Sequence, residues 1–92
     1  MIVRIQGDGQ YRIDEAAQAE LTSIDAQLFD AVKSGGAEEA HNLLTRAITM
    51  VHNRGTALAE DDLSSSDLIL PSADASLDET RALLQSEGLV GA

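Results

Sequence analysis

The chain has no cysteine and no tryptophan, a single proline, and only two aromatic side chains, Tyr11 and Phe29. Without cysteine there are no disulfides, no thiolate metal ligands and no cysteine nucleophile. Two isolated rings make no stacking platform for bases. Six basic residues against sixteen acids make no stripe that could follow a phosphate backbone, so the composition argues against nucleic acid as a partner. No stretch approaches the roughly 20 apolar residues of a membrane span, and the start lacks a basic segment leading into an apolar run. The expectation is a cytoplasmic protein with no direct membrane insertion.

What the chain does have is aliphatic. Ala, Leu, Ile and Val supply almost all of its apolar content, within 92 residues. That length fits one domain, residues 1–92, near the size at which a single core is only marginally sufficient, so a partner or a second copy would help it. The net charge of −10 is concentrated late: residues 60–92 hold eight acids against Arg81 alone. Such a field repels anionic surfaces and favours encounter with basic ones, although a solvated acidic face that keeps the protein soluble carries the same signature.

The opening MIVRIQGDGQYRID places Ile2, Val3 and Ile5 before a Gly-Asp-Gly triplet, with Tyr11 and Ile13 after it. This predicts a β-hairpin over about 2–13. With residues 7–9 as a three-residue loop and Gly9 in the left-handed position, Ile5 faces Tyr11 and Val3 faces Ile13. The same register sets Arg4 directly opposite Arg12 on the other face. Like charges so placed cost stability and need an acidic neighbour, in this chain or in a partner.

Asp14 is a good N-cap with Glu15 in the first turn, and Ala17, Leu21, Ile24, Leu28, Ala31 and Val32 recur at helical spacing. Ser34-Gly35-Gly36 stops this helix. A second stripe of Ala40, Leu43, Leu44, Ala47, Ile48 and Val51 runs toward Gly55. An antiparallel helical hairpin is expected, over about 14–33 and 37–54. Residues 56–66 read as a loop. Leu68-Ile69-Leu70 before Pro71 predicts an extended segment near 67–71, either a third strand beside the hairpin or a segment under the helices. Ser76 and Glu79 form a capping box for a C-terminal helix over about 76–87, with Gly88 as its end and residues 89–92 fraying. The fold class is α+β.

Candidate chemistry is sparse. His41 and His52 lie on one helix about 16 Å apart along its axis, too far to share a metal ion. Glu60, Asp61 and Asp62 lack the alternating ligands, the glycine and the terminal glutamate of a calcium loop. Gly7-Asp8-Gly9 is followed by a strand, not a helix, so it is no phosphate-binding loop. Ser64 to Ser66 show no nucleophile-elbow pattern. No catalytic, cofactor or metal site is expected, and the protein reads as a non-enzymatic interaction module. Its candidate partner-binding residues are Arg4, Arg12 and Tyr11 on the hairpin, with Glu60, Asp61, Asp62 and Asp67 in the acidic connection.

Two blocks carry a resemblance: Ile2 to Ile13, and Ser66 to Glu79 with Asp67-Leu68-Ile69-Leu70-Pro71 followed by Ala73-Asp74. Placed around a two-helix middle, they resemble the phage-shock-protein-A-associated family, PspAA, over nearly the whole chain. The resemblance implies a small cytosolic protein that accompanies phage shock protein A, a coiled-coil, ESCRT-like membrane-remodelling protein. It implies a partner or regulator of such a homologue in the envelope stress response, peripheral to the membrane through that partner. It implies no agreed binding residues. The alternative reading is a self-associating, homodimeric interaction domain of another pathway.

Overall fold

The computed structural model describes residues 1–59 and 61–87, with side chains described through Ala82. Strands β1 (Ile2–Ile5) and β2 (Gly9–Arg12) form the hairpin. Helices α1 (Glu15–Ser34) and α2 (Ala37–Arg54) form the helical hairpin. The two-residue strand β3 (Thr56–Ala57), strand β4 (Leu68–Leu70) and helix α3 (Leu77–Glu87) complete the described chain. The α+β class and the order of the expected elements agree with the sequence, while β3 stands where a loop was expected. Gly88, read above as a helix end, and Glu60 lie outside the described residues.

Local chemistry sets both ends of α1 and the start of α3. The Asp14 side chain accepts from the Ala17 amide at 2.8 Å. Gly35 ends α1 in the left-handed region at φ 81°, donating to carbonyls of the last turn. The capping box is present in both directions, with the Glu79 amide donating to Ser76 Oγ and the Ser76 amide to Glu79 Oε1.

The sheet order is β3-β2-β1-β4, with β4 parallel to β1 and the other neighbours antiparallel. The apolar run before Pro71 is therefore a strand, set on the far edge from the one the chain leaves at β3. Pairs Val3–Leu68 and Ile5–Leu70 turn the same way, onto the helices. There Val3, Ile5, Ile13, Leu68 and Leu70 pack with Ala17, Leu21, Leu28, Leu44 and Val51 into one buried cluster. Burying each of the larger side chains contributes about 1.5–3 kcal/mol.

The hairpin register differs from the one expected. Val3 pairs with Tyr11, Arg4 with Gln10 and Ile2 with Arg12, so the loop is Gln6-Gly7-Asp8. Both registers keep the same faces, because they differ by two residues in their pairing and side chains alternate with period two. Local bonds decide between them. The Asp8 amide donates to the Ile5 carbonyl at 3.0 Å, and the left-handed residue of that turn is Gly7, at φ 78°, not Gly9. Arg4 and Arg12 consequently share the outer face but sit on a diagonal, and they do not oppose each other.

Candidate functional site

Because β3 and β4 occupy opposite edges, the chain between them must cross one face of the sheet. The inner face is filled by the helices, so the described residues of this connection, 58–59 and 61–66, strap across the outer one. Gln10, in the middle of β2, fastens this strap. Its Nε2 donates to the Ser64 carbonyl at 3.2 Å and to Ser66 Oγ at 2.8 Å, and it is 8% exposed. Arg4 Nε also donates to Ser66 Oγ, at 3.4 Å. At the end of the strap, Asp67 brackets Ile2. Its Oδ2 accepts from the Ile2 amide at 2.8 Å, and its own amide donates to the Ile2 carbonyl at 2.8 Å.

The strap gathers most of the residues singled out in the sequence. Arg4, Arg12, Asp61 and Asp67 are exposed, and Asp62 is half-buried. The Asp62 carboxylate accepts from the Ser64 amide at 2.8 Å. Hydrogen bonding from Ser64, through its hydroxyl and its amide, holds the Asp62 carboxyl below its ordinary value, and the Arg12 guanidinium adds to this. Among the described residues neither arginine makes an ion pair within 4 Å. Their cationic ends therefore remain on the surface. A hollow of about 280 Å³ opens beside the strap, its lining including Arg4, Asp8, Gln10, Tyr11, Leu58 and Asp62.

Tyr11 belongs to the opposite face and to a different arrangement. Its hydroxyl donates to Asp8 Oδ1 at 2.6 Å, and the other Asp8 oxygen meets His52 Nε2 at 2.5 Å. The Tyr11 and His52 rings lie 5.2 Å apart, tilted at 60°. The network ties the tip of the hairpin to the end of α2. Hydrogen bonds from Tyr11 and then from His52 hold the Asp8 carboxyl low, and the same carboxylate raises the Tyr11 phenol above its usual value. No spacing in the sequence pointed to it, since Asp8 and His52 are 44 residues apart.

A second residue escaped the sequence reading. Asp25 is 2% exposed inside the apolar stripe of α1, and its Oδ1 has no hydrogen-bond partner among the described residues. Burial pushes its carboxyl up to about 6. The signal was available, because Asp25 stands one helical turn after Leu21 and two turns before Val32.

Among the described residues, no three His, Asp or Glu side chains converge in a way that could hold a metal ion. No described helix is long and apolar enough to cross a membrane. The arrangement offers surfaces of mixed charge around the strap, and a buried acid within the apolar stripe of α1.

Comparison with known families gives one match: the family described as PspA-Associated protein, over residues 1–92. No curated protein and no solved structure matches the chain.

Proposed function

The chain belongs to the PspA-associated protein family along its whole length, and from that premise we propose that it is a non-enzymatic adaptor that binds a phage shock protein A homologue and regulates it in the envelope stress response. The family match over residues 1–92 is the observation that carries this reading. The charge supports it. A net charge of −10, with the acidic strap residues Asp61, Asp62 and Asp67 on the surface, suits a partner that presents basic helix surfaces. In this reading the strap and the outer sheet face, with Arg4 and Arg12, form part of the contact, and the protein reaches the membrane only through its partner.

The test is co-expression with the phage shock protein A homologue of the same genome, followed by co-purification at rising salt. The expected result is a complex that weakens as salt rises, because exposed charge pairs are screened within about 8–10 Å at physiological ionic strength. Retention that is indifferent to salt removes the electrostatic part. If no complex forms and light scattering finds a concentration-dependent dimer, self-association replaces the adaptor reading.

A further inference from the structure

α1 is flanked on two sides. On one, Glu20 pairs with Arg54 of α2. On the other, Arg81 Nη2 of α3 donates to the Val32 carbonyl at 3.3 Å. At 100° per residue, Asp25 lies within about 20° of Val32 around the helix and about 140° from Glu20. The buried carboxyl therefore lies on the side of α1 turned away from Glu20 and Arg54, toward the Val32 edge that Arg81 of α3 reaches, and Phe29, one turn further on, is 36% exposed.

The chemistry of this flank is unbalanced. A carboxyl out of water demands a donor or a cation, and one Asp25 oxygen has neither among the described residues. The covering helix offers little compensation. α3 brings Asp78 and Glu79 in its first turn, and its described base, Arg81, is spent on Asp78 and on the Val32 carbonyl. α1 itself carries Glu15, Glu20, Asp25 and Asp30 against Lys33. Two acidic helices thus pack against each other, and one of them carries the buried acid. A basic helix would suit the site better than the one that occupies it.

We propose that the α1 flank around Asp25 and Phe29 is a docking site for a basic amphipathic helix of the partner, which displaces α3 and pairs a seam lysine or arginine with Asp25. The apolar residues of that helix replace the contacts of α3, and Phe29 packs against its edge. Charge decides the occupant: a second copy of this chain, at −10, brings the wrong sign. The inference rests on the adaptor reading and specifies the surface that grips the partner helix.

Two synthetic amphipathic helices of equal net charge test it on the full chain. Both have a leucine seam; one carries a lysine within the seam, and the other carries that lysine on its outer face. The seam-lysine peptide should bind about tenfold or more tightly, the size expected of a charge-assisted bond, and the advantage should vanish in Asp25→Asn. Binding should also release protection of the Thr80 amide, whose residue is 3% exposed in the free protein. Asp25→Leu, which also removes the buried charge, should fold and show the same loss. Equal binding of the two peptides, no binding by either, an advantage that survives in Asp25→Asn, or a Thr80 amide that stays protected overturns the proposal. If the full phage shock protein A homologue co-purifies equally with wild type and Asp25→Asn, the adaptor reading stands and this docking site falls. If it co-purifies with neither, the adaptor reading itself fails.

Discussion

The Gln10 carboxamide donates to the Ser66 hydroxyl at 2.8 Å, across 56 residues of chain, and this bond holds the strap to the sheet. The same nitrogen reaches the Ser64 carbonyl, so one buried side chain fixes two points of the crossing. Gln10→Ala should therefore free the strap without disturbing the inner face. The expected loss is about 1–2 kcal/mol, the typical cost of removing a partly buried hydrogen-bonding partner. Denaturant unfolding reads that loss. Hydrogen exchange should show faster exchange at the Ser64 amide while amides of β1 keep their protection. Unchanged exchange in the strap would mean that other contacts hold it.

Asp25 makes stability depend on pH in a direction opposite to most carboxylates. Its folded-state value, about 6, lies above the ordinary 3.8, so the native state binds the proton more tightly than the unfolded state does. Stability from this group falls as pH rises from 3.8 to 6, and the penalty is complete above that. A shift of about two units corresponds to roughly 3 kcal/mol. Asp25→Asn should remove this dependence, leaving the variant more stable than wild type at pH 8 by up to that amount and nearly equal to it at pH 3.5. Equal stability at pH 8 would show that the carboxylate is solvated in solution.

Tyr11 is the only tyrosine and there is no tryptophan, so its ionisation can be followed directly in the ultraviolet. The Asp8 carboxylate, which accepts a hydrogen bond from its hydroxyl, raises its pKa above 10.0. Stability from this bond is complete below 10.0 and is lost as pH rises through the folded-state value. Asp8→Asn should bring the phenol back toward 10.0, and a titration that does not move would break the Tyr11–Asp8 link. Tyr11→Phe should cost at most about 1 kcal/mol, since the bond is largely exposed.

Gly55 marks the corner between α2 and β3. A Cβ there would stand 2.5 Å from the Val51 carbonyl oxygen and 3.2 Å from Tyr11 Cβ. Backbone must move to admit it, so Gly55→Ala should destabilise by about 1–3 kcal/mol, as overpacking does. Chemical denaturation decides this, and a neutral substitution would show that the corner can open.

The helices were legible because their signals are local. Asp14, the Gly35-Gly36 pair and the Ser76–Glu79 box act within a few residues of the ends they define, and every residue of the apolar stripes of α1 and α2 is buried, Asp25 and Met50 being the buried residues outside them. The hairpin register was not, because alternation separates odd from even pairings but cannot choose between two registers two residues apart. That choice fell to the turn at Gly7 and to β4, whose Leu70 carbonyl takes the Gln6 amide at 3.0 Å. β3 was missed because Thr56-Ala57 has no alternating pattern. It is a strand only because the chain leaving α2 runs beside β2, where the Leu58 amide finds the Gln10 carbonyl at 2.9 Å. The strap was equally hidden in sequence, because a loop's path depends on which edges it must join. The candidate surface was thus half visible: its charged residues could be named, but the glutamine that organises them could not.

Arg4 and Arg12 give the sharpest test of which surface meets the partner. Placed on a diagonal, they avoid the repulsion that a directly opposed pair would suffer, and Asp62 lies close enough to Arg12 to feel its charge. Neither is buried, so replacing both with glutamine should change stability by no more than about 0.5 kcal/mol. Binding is another matter, because two effects have opposite signs. Removing two positive charges makes the protein more acidic, which strengthens attraction to a basic partner through the general field. Removing two guanidinium groups that touch acidic side chains of the partner weakens the complex. With the outer face in the contact, Arg4→Gln combined with Arg12→Gln should weaken binding, and the loss should shrink at high salt. Affinities measured at two ionic strengths separate the cases: unchanged or tighter binding takes the arginines out of the interface and leaves the acidic field alone to guide the encounter.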